Sequence, residues 1–299
     1  MRLSTVTSNL LFTAVCSSAT AAAYAEPLLR PDMGKLLATG GVSQIEGVGG
    51  GGIVPWALIS GYGTRDSYGA NIHATALATQ DYALDSFGIA AGINDRVELS
   101  LASQTFKGTA GALNNIRIKQ DIFGIKIKIA GDAVYDQDSV MPQIAIGAMV
   151  KHNNGITGLG AVNSVKQLGA AHTQGIDYYI AATKILLDEN LLLNATVRLS
   201  KANQIGLLGF GGDLHDRYRP MAEVSAAYLI SRQWATGLEY RMKPRNLSVD
   251  KEKNYYDVFV AYFPTKNISL TAAYAVLGDI TVLNPKNQKG AYLSAQVGF

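Results

Sequence analysis

Asp213-Leu214-His215 sets a carboxylate two positions before an imidazole, a spacing at which the acid orients the base and the base activates a water molecule. A hydrolytic site of this kind would bring further acidic groups to the same side of the molecule. The nearest candidate, Asp136-Gln137-Asp138, belongs to a connection on the opposite face, so the chain is read as a non-enzyme. Asp132, Asp136 and Asp138 together lack the glycine and the distal glutamate of a calcium loop and read as a solvated acidic turn. The run Gly47-Val48-Gly49-Gly50-Gly51-Gly52-Ile53-Val54 has no Lys-Ser/Thr after it and is not a phosphate loop. It reads as a flexible connection or a close backbone approach. No metal and no cofactor is expected.

A larger set of polar groups falls on one face of alternating segments. These lumen-lining candidates are Asn71, His73, Glu98, Lys126, Lys128, Lys151, Asp177, Arg198, Glu223, Glu239, Arg241 and Asp257. Hydrocarbon tolerates neither sign unpaired, so such residues either form a salt-bridged ladder or line a water-filled lumen and set its selectivity. Lys126, Lys128 and Lys151 would make one wall positive and favour anions. If Asp177, Glu223 and Asp257 reach across, the charges cancel and the pore is shut.

Strands must position these residues. Gly124-Ile125-Lys126-Ile127-Lys128-Ile129 puts three isoleucines on one face and two lysines on the other, a period of two. Segments of this kind are expected at 36–46, 55–63, 68–79, 83–93, 96–106, 119–130, 142–152, 175–186, 191–203, 220–230, 233–243, 254–263, 267–278 and 289–299. The fold class is therefore all-β, a transmembrane antiparallel up-and-down barrel of about 14 strands, with 12 as the alternative. The apolar phase slips between Ile118 and Phe123, which suggests a bulge. Long connections at 153–173, 205–219, 244–253 and 279–288 fall on one side of the wall. Short ones at Asn94-Asp95-Arg96, Ser231-Arg232-Gln233 and Thr265-Lys266-Asn267 fall on the other, with 131–141 unusually long for that side.

Leu293, Ala295, Val297 and Phe299 share the apolar face of the final segment, which ends on an aromatic, the pattern of an assembly strand presented to the barrel-assembly machinery. At the other end, Arg2, the apolar stretch Leu10 to Val15 and Ala23-Tyr24-Ala25 read as a cleaved signal peptide, residues 1–25. Residues 26–35 follow as a periplasmic segment, and 36–299 form the barrel. Cys16, the chain's one cysteine, lies in the leader, and Thr13-Ala14-Val15 before it does not fit a lipoprotein site. With 26 basic against 23 acidic residues the chain has no charge excess that implies nucleic acid as a partner. The expected partners are the lipid bilayer, the assembly machinery and an unidentified small solute or lipid ligand.

Five stretches carry a resemblance: residues 35–42 (Lys35 to Val42), 61–66, 95–100, 131–138, and 201–204 followed by 206–213. They are similar to a proteobacterial domain-of-unknown-function family of predicted outer-membrane β-barrels, over nearly all of residues 33–299. The resemblance implies an exported barrel in the outer membrane of a Gram-negative bacterium and carries over no site residues. Ser294 departs from the glycine common in the terminal strand of such proteins.

The expected function is a passive channel or transporter for small solutes. The alternatives are a structural or surface-interaction barrel with a blocked lumen, and a hydrophobic-substrate transporter. Apolar lumen patches together with a plugging N-terminal segment, for which 28–33 is the candidate, would favour the last.

Overall fold

The computed structural model describes residues 35–39 and 42–299. The expected leader, and residues 28–33 as a plug, lie outside the described residues. The chain from Tyr68 onward forms twelve antiparallel strands, each paired with its neighbours in sequence and closed by the last on the first. They are β3 (Tyr68–Thr79), β4 (Tyr82–Ile93), β5 (Val97–Gly108), β6 (Arg117–Ala130), β7 (Gln143–Thr157), β8 (Gln174–Leu186), β9 (Leu191–Ser200), β10 (Arg219–Leu229), β11 (Trp234–Arg241), β12 (Tyr255–Thr265), β13 (Ile268–Gly278) and β14 (Gln288–Gly298). Two short strands, β1 (Val42–Ser43) and β2 (Gly49–Gly50), pair only with each other. No described helix is long and apolar enough to cross a membrane.

The strand count is the alternative of 12, because the segments expected at 36–46 and 55–63 are not wall strands. Residues 44–62 lie inside the barrel and are buried throughout. The glycines explain the difference. A Cβ on Gly51 would overlap the Glu239 carboxylate, so the backbone passes where a side chain has no room. The close approach, not a flexible linker, is the role of this run.

Alternation along the wall follows the pleat. In β6 the even-numbered residues from Ile118 to Lys126 point inward and the odd-numbered ones outward, without a break. The slip near Ile118 coincides with a register irregularity against β7 between Ile118 and Gln120, in the stretch where a bulge is expected, and the inward face also changes from polar to apolar towards that end. Outside, Phe87, Leu101, Phe123, Val197, Val258 and Leu293 are exposed and belong to an apolar belt, a surface stable against hydrocarbon and not against water. Trp234 stacks on Tyr262 at one rim, ring centroids 4.4 Å apart, the interfacial position such rings favour.

The connections sort by end as the segment lengths suggest. Asn94–Arg96, 131–142, 187–190, 230–233 and 266–267 share the end where Phe299 lies, here called the turn end; 109–116, 158–173, 201–218, 242–254 and 279–287 share the loop end. The long 131–142 connection is a folded cap. Lys184 donates to the Asp136 carbonyl at 2.5 Å, and Asp132 accepts from the amides of Val134 and Tyr135 at 2.9 and 2.7 Å. Asp132 is thus occupied by backbone.

Candidate functional site

The middle of the barrel holds a closed ion cluster. Lys151 on β7, Arg198 on β9 and Arg241 on β11 point inward because each sits on the inward phase of its strand. Glu46, on the inner segment, reaches all of them: it pairs with Lys151, lies 2.7 Å from Arg241 and 3.4 Å from Arg198. Asp177 on β8 pairs with Lys151 at 2.6 Å, and Glu223 on β10 takes Arg198 through two nitrogens at 2.6 and 3.1 Å. Three cations face three carboxylates, each essentially excluded from solvent. Buried charges persist only when paired in this way.

Further wall residues hold the inner segment by its backbone. Glu98 accepts from the amides of Gly49 and Ser60 at 2.9 and 2.8 Å, while Lys126 donates to the carbonyls of Gly49 and Leu58 and pairs with Glu98 at 3.1 Å. Glu239 accepts from the Ile53 amide at 2.7 Å and from the Ser225 hydroxyl at 2.6 Å. Asn71 accepts from Ser43 at 3.2 Å. The segment therefore meets the wall at several separate points, and the Gly49, Leu58 and Ser60 bonds give its loop a fixed shape.

Each lumen candidate has a definite place. Lys151 pairs with Asp177, Arg198 with Glu223, and Lys126 with Glu98. Lys128 is only partly buried and lies at the turn end against Asp95, 2.8 Å, and Asp132, 3.6 Å. The positive wall expected from Lys126, Lys128 and Lys151 is thus neutralised locally. Asp257 lies opposite Glu239 in the strand register and has no cationic partner among the described residues. One Asp257 oxygen and both ring nitrogens of His73 are buried without a hydrogen-bond partner among the described residues. In the final strand Leu293 and Phe299 are exposed on the outer face, with Ala295 and Val297 half-buried beside them.

Above the ion cluster the interior becomes apolar. A cavity of about 200 Å³ has Ile45 and Ile53 of the inner segment at its base, Leu84, Ile118 and Ile156 of the wall at its sides, and Leu207 of the 201–218 loop above. That loop dips into the barrel: Gln204 and Ile205 both adopt left-handed backbone with φ of 45° and 58°, rare for such residues and strained for a β-branched one. Gln204 is fixed by Asp250, 2.8 Å, Lys243, 3.0 Å, the Tyr255 hydroxyl, 2.5 Å, and, through its own amide, Glu252, 2.8 Å. Burial and the neighbouring Glu252 push the Asp250 carboxyl up to about 10, and burial lowers the ammonium of Lys243.

Sequence reasoning did not find Glu46, because it assigned residues 36–46 to the wall. The available signal was the polar phase Gln44-x-Glu46 directly before a glycine run. Nor did it find the cavity, whose signal was the apolar inward positions at the loop ends of strands otherwise polar inside. Asp213 and His215 do lie on the loop end. The Asp213 carboxylate accepts from the Ser248 amide at 3.0 Å, which holds it below the usual carboxylate range. The imidazole found against a carboxylate is instead His172, 3.2 Å from Asp216, on the exposed surface.

The profile of a family described as "Protein of unknown function (DUF3034)" matches residues 39–296. No curated protein is similar in sequence. Among solved structures, the NanC porin is similar with a TM-score of 0.52 at 9% identity, covering 76% of this chain and 98% of that one. The KdgM porin gives a TM-score of 0.46 at 11% identity over 77% and 99%, and outer membrane phospholipase A from Escherichia coli gives 0.42 at 7% over 80% and 94%. At these identities the likeness to NanC is one of fold.

Proposed function

The chain belongs to the DUF3034 family, and we propose that this member is a gated outer-membrane barrel that passes small solutes. Its apolar belt faces the bilayer, the loop end faces outward, and the turn end with Phe299 faces the periplasm after assembly through β14. Export follows from the leader at 1–25.

One observation carries the reading: the segment that fills the lumen is held by buried ion pairs and hydrogen bonds with Glu46 at their centre, beside the apolar contacts of Ile45, Ile53, Trp56 and Leu58. Polar tethers exchange with water when the segment shifts, whereas the wall keeps its own ladder of hydrogen bonds. The lumen residues Asn71, Glu98, Lys126, Lys151, Asp177, Arg198, Glu223, Glu239 and Arg241 then act as the latch, and the closed state is the resting one.

Solute entry into proteoliposomes tests this. The wild-type barrel should admit uncharged small solutes slowly, and Glu46→Gln should raise the rate at least several-fold while the barrel stays heat-modifiable on gels. Equal, negligible entry for both would reject a gate and leave the sealed, structural barrel.

A further inference from the structure

We propose that the cavity at the loop end is a binding site for a small uncharged hydrocarbon, one aromatic ring or a chain of about eight carbon atoms. The inference deepens the transport reading by naming the solute class, and it rests on that reading only for the claim that the ligand is cargo.

The argument begins with where the apolar residues lie. A wall strand gains nothing in the bilayer from an inward leucine or isoleucine, yet Leu77, Leu84, Ile118, Ile156 and Leu277 all turn inward at the loop end. They belong to the barrel's buried apolar cluster, which leaves a gap among them. They border a void of about 200 Å³. An apolar cavity of about 150 Å³ stays dry and takes up benzene, and scaling from six carbons sets the size of the ligand here.

Water is a poor occupant because the polar groups at the border are already engaged. Arg241 is committed to Glu46 and the Ile53 carbonyl. Gln204 is held on both its amide nitrogen and its oxygen by Asp250, Lys243 and Tyr255. A water molecule needs two to four partners. Among the described residues the other polar side chains of the lining are engaged as well, Thr79 with Gln288, Tyr82 with Asn284 and Thr281 with the Val249 carbonyl. The same bookkeeping excludes a carboxylate ligand, since Arg241, the one cation bordering the cavity among the described residues, already faces Glu46 at 2.7 Å and Glu223 at 3.4 Å. An uncharged molecule leaves no charge uncompensated.

The path of entry is apolar too. Val282 and Leu283, in the 279–287 connection, border the cavity and are 40% and 65% exposed, so they form a lip between it and the outside. The twelve-strand ladder is closed, and an acyl tail anchored in the surrounding bilayer has no gap between strands through which to reach the cavity. A free molecule arriving at the loops does.

The test is equilibrium binding of ethylbenzene to the purified full-length barrel in lipid nanodiscs, with empty nanodiscs subtracted for partitioning. Saturable binding should appear in wild type and fall at least tenfold in Ile156→Trp, which fills the void from β7, and in Leu207→Trp, which fills it from the loop. Heat-modifiability identifies which of the two remains folded. Octanoate at pH 8 should bind at least tenfold more weakly than ethylbenzene. Absence of saturable binding, undiminished binding in a folded filled variant, or octanoate binding as tight as ethylbenzene would overturn the proposal. Because no passage is measured, loss of the Glu46 gate effect with ethylbenzene binding intact would remove the transport reading alone.

Discussion

Lys151 on the barrel wall and Glu46 on the inner segment form an ion pair at the centre of the lumen, both side chains fully excluded from solvent. Neither residue is tolerable there alone. Their pairing ties a segment with almost no strand structure of its own to a wall that is complete without it, and it joins them to Asp177, Arg198, Glu223 and Arg241 in a neutral set.

That coupling is measurable. Glu46→Gln and Lys151→Met should each destabilise the folded barrel by about 3 to 5 kcal/mol, since each leaves a buried charge short of a partner. The double variant should be less destabilised than the sum of the two by at least about 1 kcal/mol. Urea unfolding in lipid vesicles supplies the four corners of the cycle, and strict additivity would show that the two residues act independently.

Depth in the bilayer should grade the cost of a charge on the outer face. Phe123 lies opposite Leu101 and Val150, halfway along its strand, so Phe123→Arg should cost about 2 to 4 kcal/mol. Ile127 lies opposite Val97, the first residue of β5, so Ile127→Arg should cost about 1 kcal/mol or less. Lys128→Arg keeps its partners Asp95 and Asp132 and should assemble normally. Similar folding yields for Phe123→Arg and Ile127→Arg would contradict the proposed position of the belt.

The Asp250 carboxyl, raised to about 10 by burial and by Glu252, gives a pH signature. A raised acid is bound to its proton in the folded state and not in the unfolded one, so its burial penalty is absent below the unfolded value near 4. The penalty grows as pH rises towards 10. Asp250→Asn removes that dependence while keeping an oxygen for Gln204. Its melting temperature relative to wild type should therefore be higher at pH 8.5 than at pH 5; an offset independent of pH would refute the assignment.

The barrel seam depends on backbone at the last residue. The Phe299 amide donates to the Ala70 carbonyl at 2.8 Å, and its own carbonyl accepts from Tyr62 and Ala70. Deleting Phe299 should reduce the heat-modifiable barrel recovered from the outer membrane more than Phe299→Ala, which keeps those bonds and loses only the ring. Equal recovery of both variants would place the whole effect in the side chain.

The wall was legible from the residues because strand alternation is local. Three isoleucines against two lysines in 124–129 fix a face with no knowledge of any neighbour, and turn residues at 94–96, 231–233 and 265–267 fix the reversals. Which lumen charges would meet was only partly readable: Glu98 with Lys126 and Arg198 with Glu223 lie on adjacent strands, but register sets the match. The inner segment was not readable. Residues 36–46 alternate as a wall strand does, and only the closed cylinder, with Glu98, Lys126 and Glu239 waiting on its inner surface, makes the lumen the better place for Glu46 and the glycines beside it. The cavity likewise depends on closure. Leu84, Ile118, Ile156 and Leu207 are far apart in the chain, and an inward apolar side chain reveals whether it borders a packed core or a void only when all its neighbours are in place.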